Sequence, residues 1–305
     1  MAVISSLAFA TLGIFAIEGF HDHLTAVTLL VWRFFVAGAL LGVWSVLTRQ
    51  AWPKGRDLVL LIAMGAIAYS TMSWLFLEAN ADAPVGLVSA VLYTYPALVT
   101  ALVVALGWER LSPVRWLALA GTFIGTSLVA LTGTAGATGG THPVLGMALS
   151  FAAAVMYAAY IAVGSVIISR VSGAVATAII CLSAGGALAI IGGATGTLQP
   201  VPPNAWWIVA GLAIVATGLA VLGFFRAISL IGPGRAAILS TVEPVGAAIL
   251  GWLTLGQTLS VLQAVGILVI MSSAGGLRWE PSQAGNPDAG RPKPLASNDD
   301  GSRPG

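Results

Sequence analysis

Two charged side chains stand in long apolar stretches, where charge is expensive: Arg33, between Trp32 and Phe34, and Glu243, immediately before Pro244. If Arg33 lies eight residues inside a helix it is about 12 Å deep at roughly 1.5 Å per residue. An arginine at that depth must face water, an anion or a carboxylate. Its functional chemistry would be that of a clamp for a substrate carboxylate. The alternative is a structural arginine whose long stem reaches outward to Glu18 or Asp22. Glu243 would lie about 14 Å from the nearer end by the same rise. A carboxyl that alternates between desolvated and watered settings can couple proton movement to transport, so protons become a candidate partner. The alternative there is a neutral glutamic acid bonded to a neighbouring carbonyl.

Other residues gather around these two. Pro96 and Pro244 each remove a helical hydrogen bond in mid-segment, freeing the carbonyls of Leu92 and Ser240. Such kinks suit hinges beside a cavity, or only the needs of packing. Ser89, Tyr93, Pro96 and Thr100 share one helical face by their spacing. Tyr69, Ser70, Ser73 and Trp74, with Tyr157 and Tyr160, place aromatic and hydroxyl groups at mid-depth, away from the interfaces where aromatic belts sit. Each alone could be packing. As a group, Arg33, Tyr69, Ser73, Trp74, Tyr93, Tyr157, Tyr160 and Glu243 outline a cavity for an organic solute, flanked by Pro96 and Pro244 as kink points.

Enzymatic signatures are missing from the sequence. It contains no P-loop, no G-x-S-x-G, no H-E-x-x-H and no intramembrane Asp pair, so catalytic residues and a cofactor are not expected. The single Cys181 excludes internal disulfides and thiolate metal cages, and His21-Asp22-His23 has no further ligand nearby, so no metal is expected either. The net charge of +2 comes with no basic cluster among exposed aromatics, which argues against nucleic acid.

The elements that must hold these residues follow from composition. Of 305 residues, 58% are hydrophobic and 8% charged, with a mean hydropathy of +0.95. Soluble domains carry about 25% charged residues. The chain therefore reads as an all-α polytopic membrane protein with the lipid bilayer as its solvent. Turn and charge punctuation gives ten spans, at 1–18, 25–48, 58–79, 84–107, 113–133, 144–169, 173–194, 205–226, 234–255 and 260–277. Continuous apolar runs without period-two alternation favour helices over barrel strands. Pro84 and Pro233 stand where spans begin, and Ser112-Pro113 reads as an N-cap and first helical residue. Residues 278–305 turn to Pro, Gly, Ser, Asn and Asp, the composition of a disordered tail. Sorting Lys and Arg among alternate loops puts twelve on one side, including Arg49, Lys54, Arg56, Arg115, Arg170, Arg226 and Arg235, and none on the other. The positive-inside rule then places both termini in the cytoplasm of a multi-pass plasma-membrane protein, with His21, His23, Asp82 and His142 outside.

An internal repeat organises the whole. Pro96 and Pro244 are 148 positions apart, and the same ungapped shift superposes Gly38-Ala39-Leu40 on Gly186-Ala187-Leu188, Phe76 on Phe224, Gly86 on Gly234 and Leu111-Ser112 on Leu259-Ser260. Two five-span units result, 1–133 and 144–277. Five is odd, so the second must enter the bilayer inverted, which is the plan of secondary transporters with a site near the midplane between repeats. Arg33 is then the repeat mate of Cys181, and Glu243 of Tyr95, so the polar groups break the symmetry of the scaffold.

At these residues the chain resembles the drug/metabolite transporter superfamily, specifically its EamA-type members with ten spans in two repeats. The resemblance rests on Trp32-Arg33-Phe34, on Tyr95-Pro96 followed by Gly107-Trp108-Glu109-Arg110-Leu111-Ser112-Pro113, and on Phe224-Phe225-Arg226-Ala227 through Gly234-Arg235-Ala236-Ala237 to Val242-Glu243-Pro244 and Leu255-Gly256-Gln257. Where the family pattern ends its fourth and ninth spans in Gly-Glu, this chain has Trp108-Glu109 and Gly256-Gln257, and the second lacks the carboxylate. The resemblance implies export of small metabolites, amino acids foremost, through a central cavity by alternating access. Drug or cation efflux and nucleotide-precursor transport are alternatives within the same fold. A non-transporting scaffold or receptor is the alternative outside it.

Overall fold

In hydrocarbon each backbone N–H and C=O must be satisfied within its own segment, so long apolar runs have little choice but to be helical. The computed structural model describes residues 1–83, 85–108, 112–132, 142–255 and 260–276, and among these no strand occurs. Among the described residues the protein is an all-α membrane protein whose helices group into ten spans, in an order that occurs twice. Span one is α1 (Ala2–His21) and span two α2 (Ala26–Leu47). Span three is α3 (Gly55–Ala63) running through a π-helical turn, Met64–Tyr69, into α4 (Ser70–Asp82). Span four is broken into α5 (Val85–Leu92) and α6 (Tyr95–Ala105), and span five is α7 (Pro113–Thr132). The second repeat follows the same order: α8 (Pro143–Ile167), α9 (Gly173–Thr195), then α10 (Trp206–Ala213) joined to α11 (Ala220–Ile231) by the π-helical turn Ile214–Leu219. It ends with the broken pair α12 (Pro233–Ser240) and α13 (Glu243–Leu255), and with α14 (Val261–Gly276).

The 148-residue shift carries α5 onto α12 without offset and the first residue of α6 onto the first of α13. Local chemistry fixes several starts. The Ser112 hydroxyl accepts from the Arg115 N–H at 3.2 Å, Thr25 caps α2, Ser172 caps α9, and Pro113, Pro143 and Pro233 open their helices. Spans three and eight run several residues beyond their expected limits, the latter as an apolar stretch of 29 residues with its short leading turn. Arg226, assigned to a loop from sequence, therefore lies inside α11, and Arg115 lies in the first turn of α7. A helix need not stop at its first arginine, because the stem can carry the charge outward. The expected start at Pro84, the Glu109-Arg110-Leu111 and Gly256-Gln257 motif positions and the tail 278–305 lie outside the described residues.

Packing joins the repeats more than it completes either one. The mates α2 and α9 lie against each other, as do α7 and α14; α4 packs on α8, and its mate α11 on α1. Gly38 with Gly42, and Gly121 with Gly125, form G-x-x-x-G pairs, a spacing that suits close helix approach. A Cβ at Gly125 would stand 2.7 Å from the Gly266 carbonyl oxygen, and one at Gly121 2.0 Å from the Ser273 hydroxyl, so this pair lets α7 touch α14. In the other pair only Gly38 is tight, against Leu182, while Gly42 has nothing nearer than Trp52 at 3.9 Å.

Candidate functional site

Both broken spans stop and restart near mid-length, at Tyr93-Thr94 and at Thr241-Val242. The sequence suggests kinks at the prolines themselves. The structure instead ends one helix and begins another just ahead of them, leaving Pro96 and Pro244 at the second position of α6 and α13. There a missing N–H costs nothing, because the first helical N–H groups have no intrahelical partner anyway. Two helix N-termini, with their partial positive charge, thus lie inside the protein at equivalent places, one headed by Tyr95 and the other by Glu243.

Around these breaks the fold collects every tyrosine in the chain. There are five. Tyr69, at the end of the first π-helical turn, stacks on Tyr160 with centroids 5.2 Å apart; Tyr160 stacks on Tyr157 at 5.9 Å; Tyr157 tilts against Tyr95 at 4.7 Å, and Tyr95 against Tyr93 at 6.2 Å. The spacing of three between Tyr157 and Tyr160 puts both on one face of α8, which brings them between span three and span four.

The cluster has a cation at one end and a carboxylate at the other. Arg33 is only 5% exposed; its terminal nitrogen donates to the Tyr69 hydroxyl at 3.4 Å, and its guanidinium carbon lies 4.5 Å from the Phe34 ring centroid. The ring contact is worth about 1–2 kcal/mol once water is removed, too little to offset the burial of a full charge. The Arg33 Nε and the Tyr160 hydroxyl are buried without a hydrogen-bond partner. No ion pair joins Arg33 to Glu18 or Asp22 among the described residues, so the outward-reaching arrangement is not the one adopted. At the far end Glu243 lies beside Tyr93, and no ion pair joins its carboxylate to Arg33 among the described residues. Glu243, Tyr93 and Tyr157 remain partly exposed, whereas Tyr95 is 2% exposed and its hydroxyl is hydrogen-bonded to that of Ser240.

The sequence profile of the EamA-like transporter family matches residues 1–131 and again 144–278, once over each repeat. The chain belongs to that family. It is accordingly a multi-pass membrane protein that transports small solutes, and EamA members are transporters, not enzymes. No curated protein matches the chain significantly. One solved crystal structure superposes with a TM-score of 0.76 at 21% identity, covering 90% of this chain and 94% of that one, a likeness of fold.

Set on the EamA scaffold, the expected cavity residues do not all converge. Arg33, Tyr69, Tyr93, Tyr157, Tyr160 and Glu243 do. Ser73 is buried on α4, one turn beyond Tyr69. Trp74 is not brought to the cluster: it is 41% exposed and lies on the outer stripe with Ile67 and Glu78, at spacings of seven and four. Five residues of regular helix, at about 100° each, turn it roughly 140° away from Tyr69. Tyr95 and Ser240 are the residues that sequence reasoning left out of the cavity. A signal was present for the first, since Tyr95 is the repeat mate of Glu243.

Proposed function

We propose that this transporter exports amino acids or closely similar zwitterions from the cytoplasm across the plasma membrane, by alternating access at the tyrosine cluster. The observation that carries the reading is that Arg33 and Glu243 occupy opposite ends of one cluster and make no ion pair with each other. Arg33 supplies unspent donors for a carboxylate, and Glu243 with the faces of Tyr93 and Tyr157 suits an ammonium group. A dipolar solute satisfies both ends at once. Protons are the companion proposal, with Glu243 exchanging its proton when no ammonium is present. The arginine-rich loop side is the cytoplasmic one, with both termini there.

Purified protein in proteoliposomes, loaded with labelled amino acids and followed by counterflow, tests the reading after a thermal-shift screen has selected ligands. The expected result is counterflow of amino acids, with weaker responses to nucleosides and to cations lacking a carboxylate. Counterflow of organic cations alone, unaffected by Arg33→Lys, would replace the zwitterion with a cationic drug as substrate.

A further inference from the structure

The two pairs of half-helices beside the tyrosine cluster are not packed alike. At the arginine-rich end α6 packs on α12, and the Tyr95 hydroxyl is hydrogen-bonded to Ser240 across that contact, both side chains buried. The 148-residue shift turns this pair of half-helices into α13 and α5, which make no comparable packing among the described residues. It also turns the bonded pair itself, Tyr95 with Ser240, into Glu243 with Leu92. If closing the opposite end repeats the packing seen here with the repeats exchanged, Glu243 must press where Tyr95 presses now, against a leucine that can neither donate nor accept. Burying an ionised carboxylate against hydrocarbon is costly unless its charge is matched.

We infer that the Tyr95–Ser240 hydrogen bond is a one-sided latch that holds the empty transporter closed at its arginine-rich end, and that closure of the other end waits for a ligand cation to cover Glu243. The second part rests on the ligand reading given above; the latch does not. Thr94 and Val242, the mates beside these residues, follow the same asymmetry, polar in one break and apolar in the other. The groups that bear on the Glu243 carboxylate are Tyr93 and Arg33, with the rings of Tyr95 and Tyr157 nearby. None of these is a second carboxylate that could take over its role.

Full-length protein in lipid nanodiscs, without any ligand, provides the test. With Cys181→Ser as background, Val99→Cys introduces a single thiol on α6, one turn from Tyr95 on the same buried face and 0% exposed in the parent. The readout is its rate of labelling by a water-soluble maleimide. Tyr95→Phe and Ser240→Ala are each expected to raise that rate about fivefold, the ratio that one net hydrogen bond of about 1 kcal/mol sets in a two-state equilibrium. Leu92→Ser, which offers Glu243 a partner in the opposite state, and Glu243→Gln, which removes the charge, should raise it as well. A control thiol from Ala154→Cys in α8, also 0% exposed, should stay at the parent rate in every variant. Parent-like labelling at Val99→Cys in both latch variants would overturn the latch, and so would an equal rise at both thiols, which would report general loosening. Because no solute is present, failure of the amino-acid reading in counterflow leaves this result standing. Conversely, counterflow can succeed while the latch fails.

Discussion

Spans four and nine are the same element used twice, and they have come to do different things. Each starts at one face, breaks after eight residues and restarts with a proline at the second position of the new helix. At the first residue of that new helix one carries Tyr95, buried and bonded to Ser240, and the other Glu243, partly exposed and beside Tyr93. The backbone break is thus a property of the scaffold, while the charge is a property of one copy. Spans two and seven teach the same lesson, with Arg33 in one and Cys181 at the matching place in the other.

The sharpest way to break the comparison is to exchange mates. If position alone sufficed, the double variant Arg33→Cys with Cys181→Arg would bind as the parent does. The surroundings say otherwise, because the partners of Arg33, Tyr69 and Phe34, have Thr217 and Leu182 as mates, which offer neither a phenol nor a ring. Loss of about a hundredfold in affinity for a carboxylated ligand is expected in both Arg33→Cys and the double variant, the scale for removing a charge-assisted hydrogen-bonded pair. Titration calorimetry on purified protein measures it. Recovery in the double variant would mean that the two copies are interchangeable after all.

A smaller effect separates the ends of the cluster. Glu243→Gln keeps the shape of the side chain and removes the charge, so an amino acid should lose about tenfold in affinity while its N-acetyl derivative, which has no ammonium group, changes little. Arg33→Lys should show the reverse pattern, discriminating the free acid from its methyl ester, since lysine replaces a planar fork with a point charge. Comparable losses for all four ligands in both variants would show that the residues support the fold and not the ligand.

Much of this was legible in the sequence. Apolar runs and their punctuation gave the spans, because lipid imposes helix on any segment that crosses it. The repeat gave the inversion, because an odd unit copied once can only enter the other way up. Arg33 and Glu243 announced themselves as charges with nowhere inexpensive to go. The role of Tyr95 was harder to read, since a tyrosine in an apolar segment is unremarked unless its mate is considered, and Ser240 enters only through a contact 145 residues away in the chain. Trp74 was counted with the cavity for its type and mid-depth position, although five residues of regular helix at about 100° each put it roughly 140° round from Tyr69.

Trp74 supplies the smallest expected effect. It shares α4 with Ser73 and follows Tyr69 by five residues, and its type and depth alone would count it as a cavity wall. On the outer stripe with Ile67, its indole is exposed at the protein surface, and against lipid a leucine serves nearly as well because lipid tails are as apolar as the side chain. Trp74→Leu should therefore leave amino-acid counterflow within about twofold of the parent, roughly 0.4 kcal/mol. Tyr69→Leu, five residues earlier, removes the hydroxyl that receives the Arg33 hydrogen bond and one ring of the stacked cluster, and should cost about tenfold. A Trp74 variant as damaged as the Tyr69 variant would place the outer face of α4 in the transport path and shift the crevice from between the repeats to the lipid side of span three.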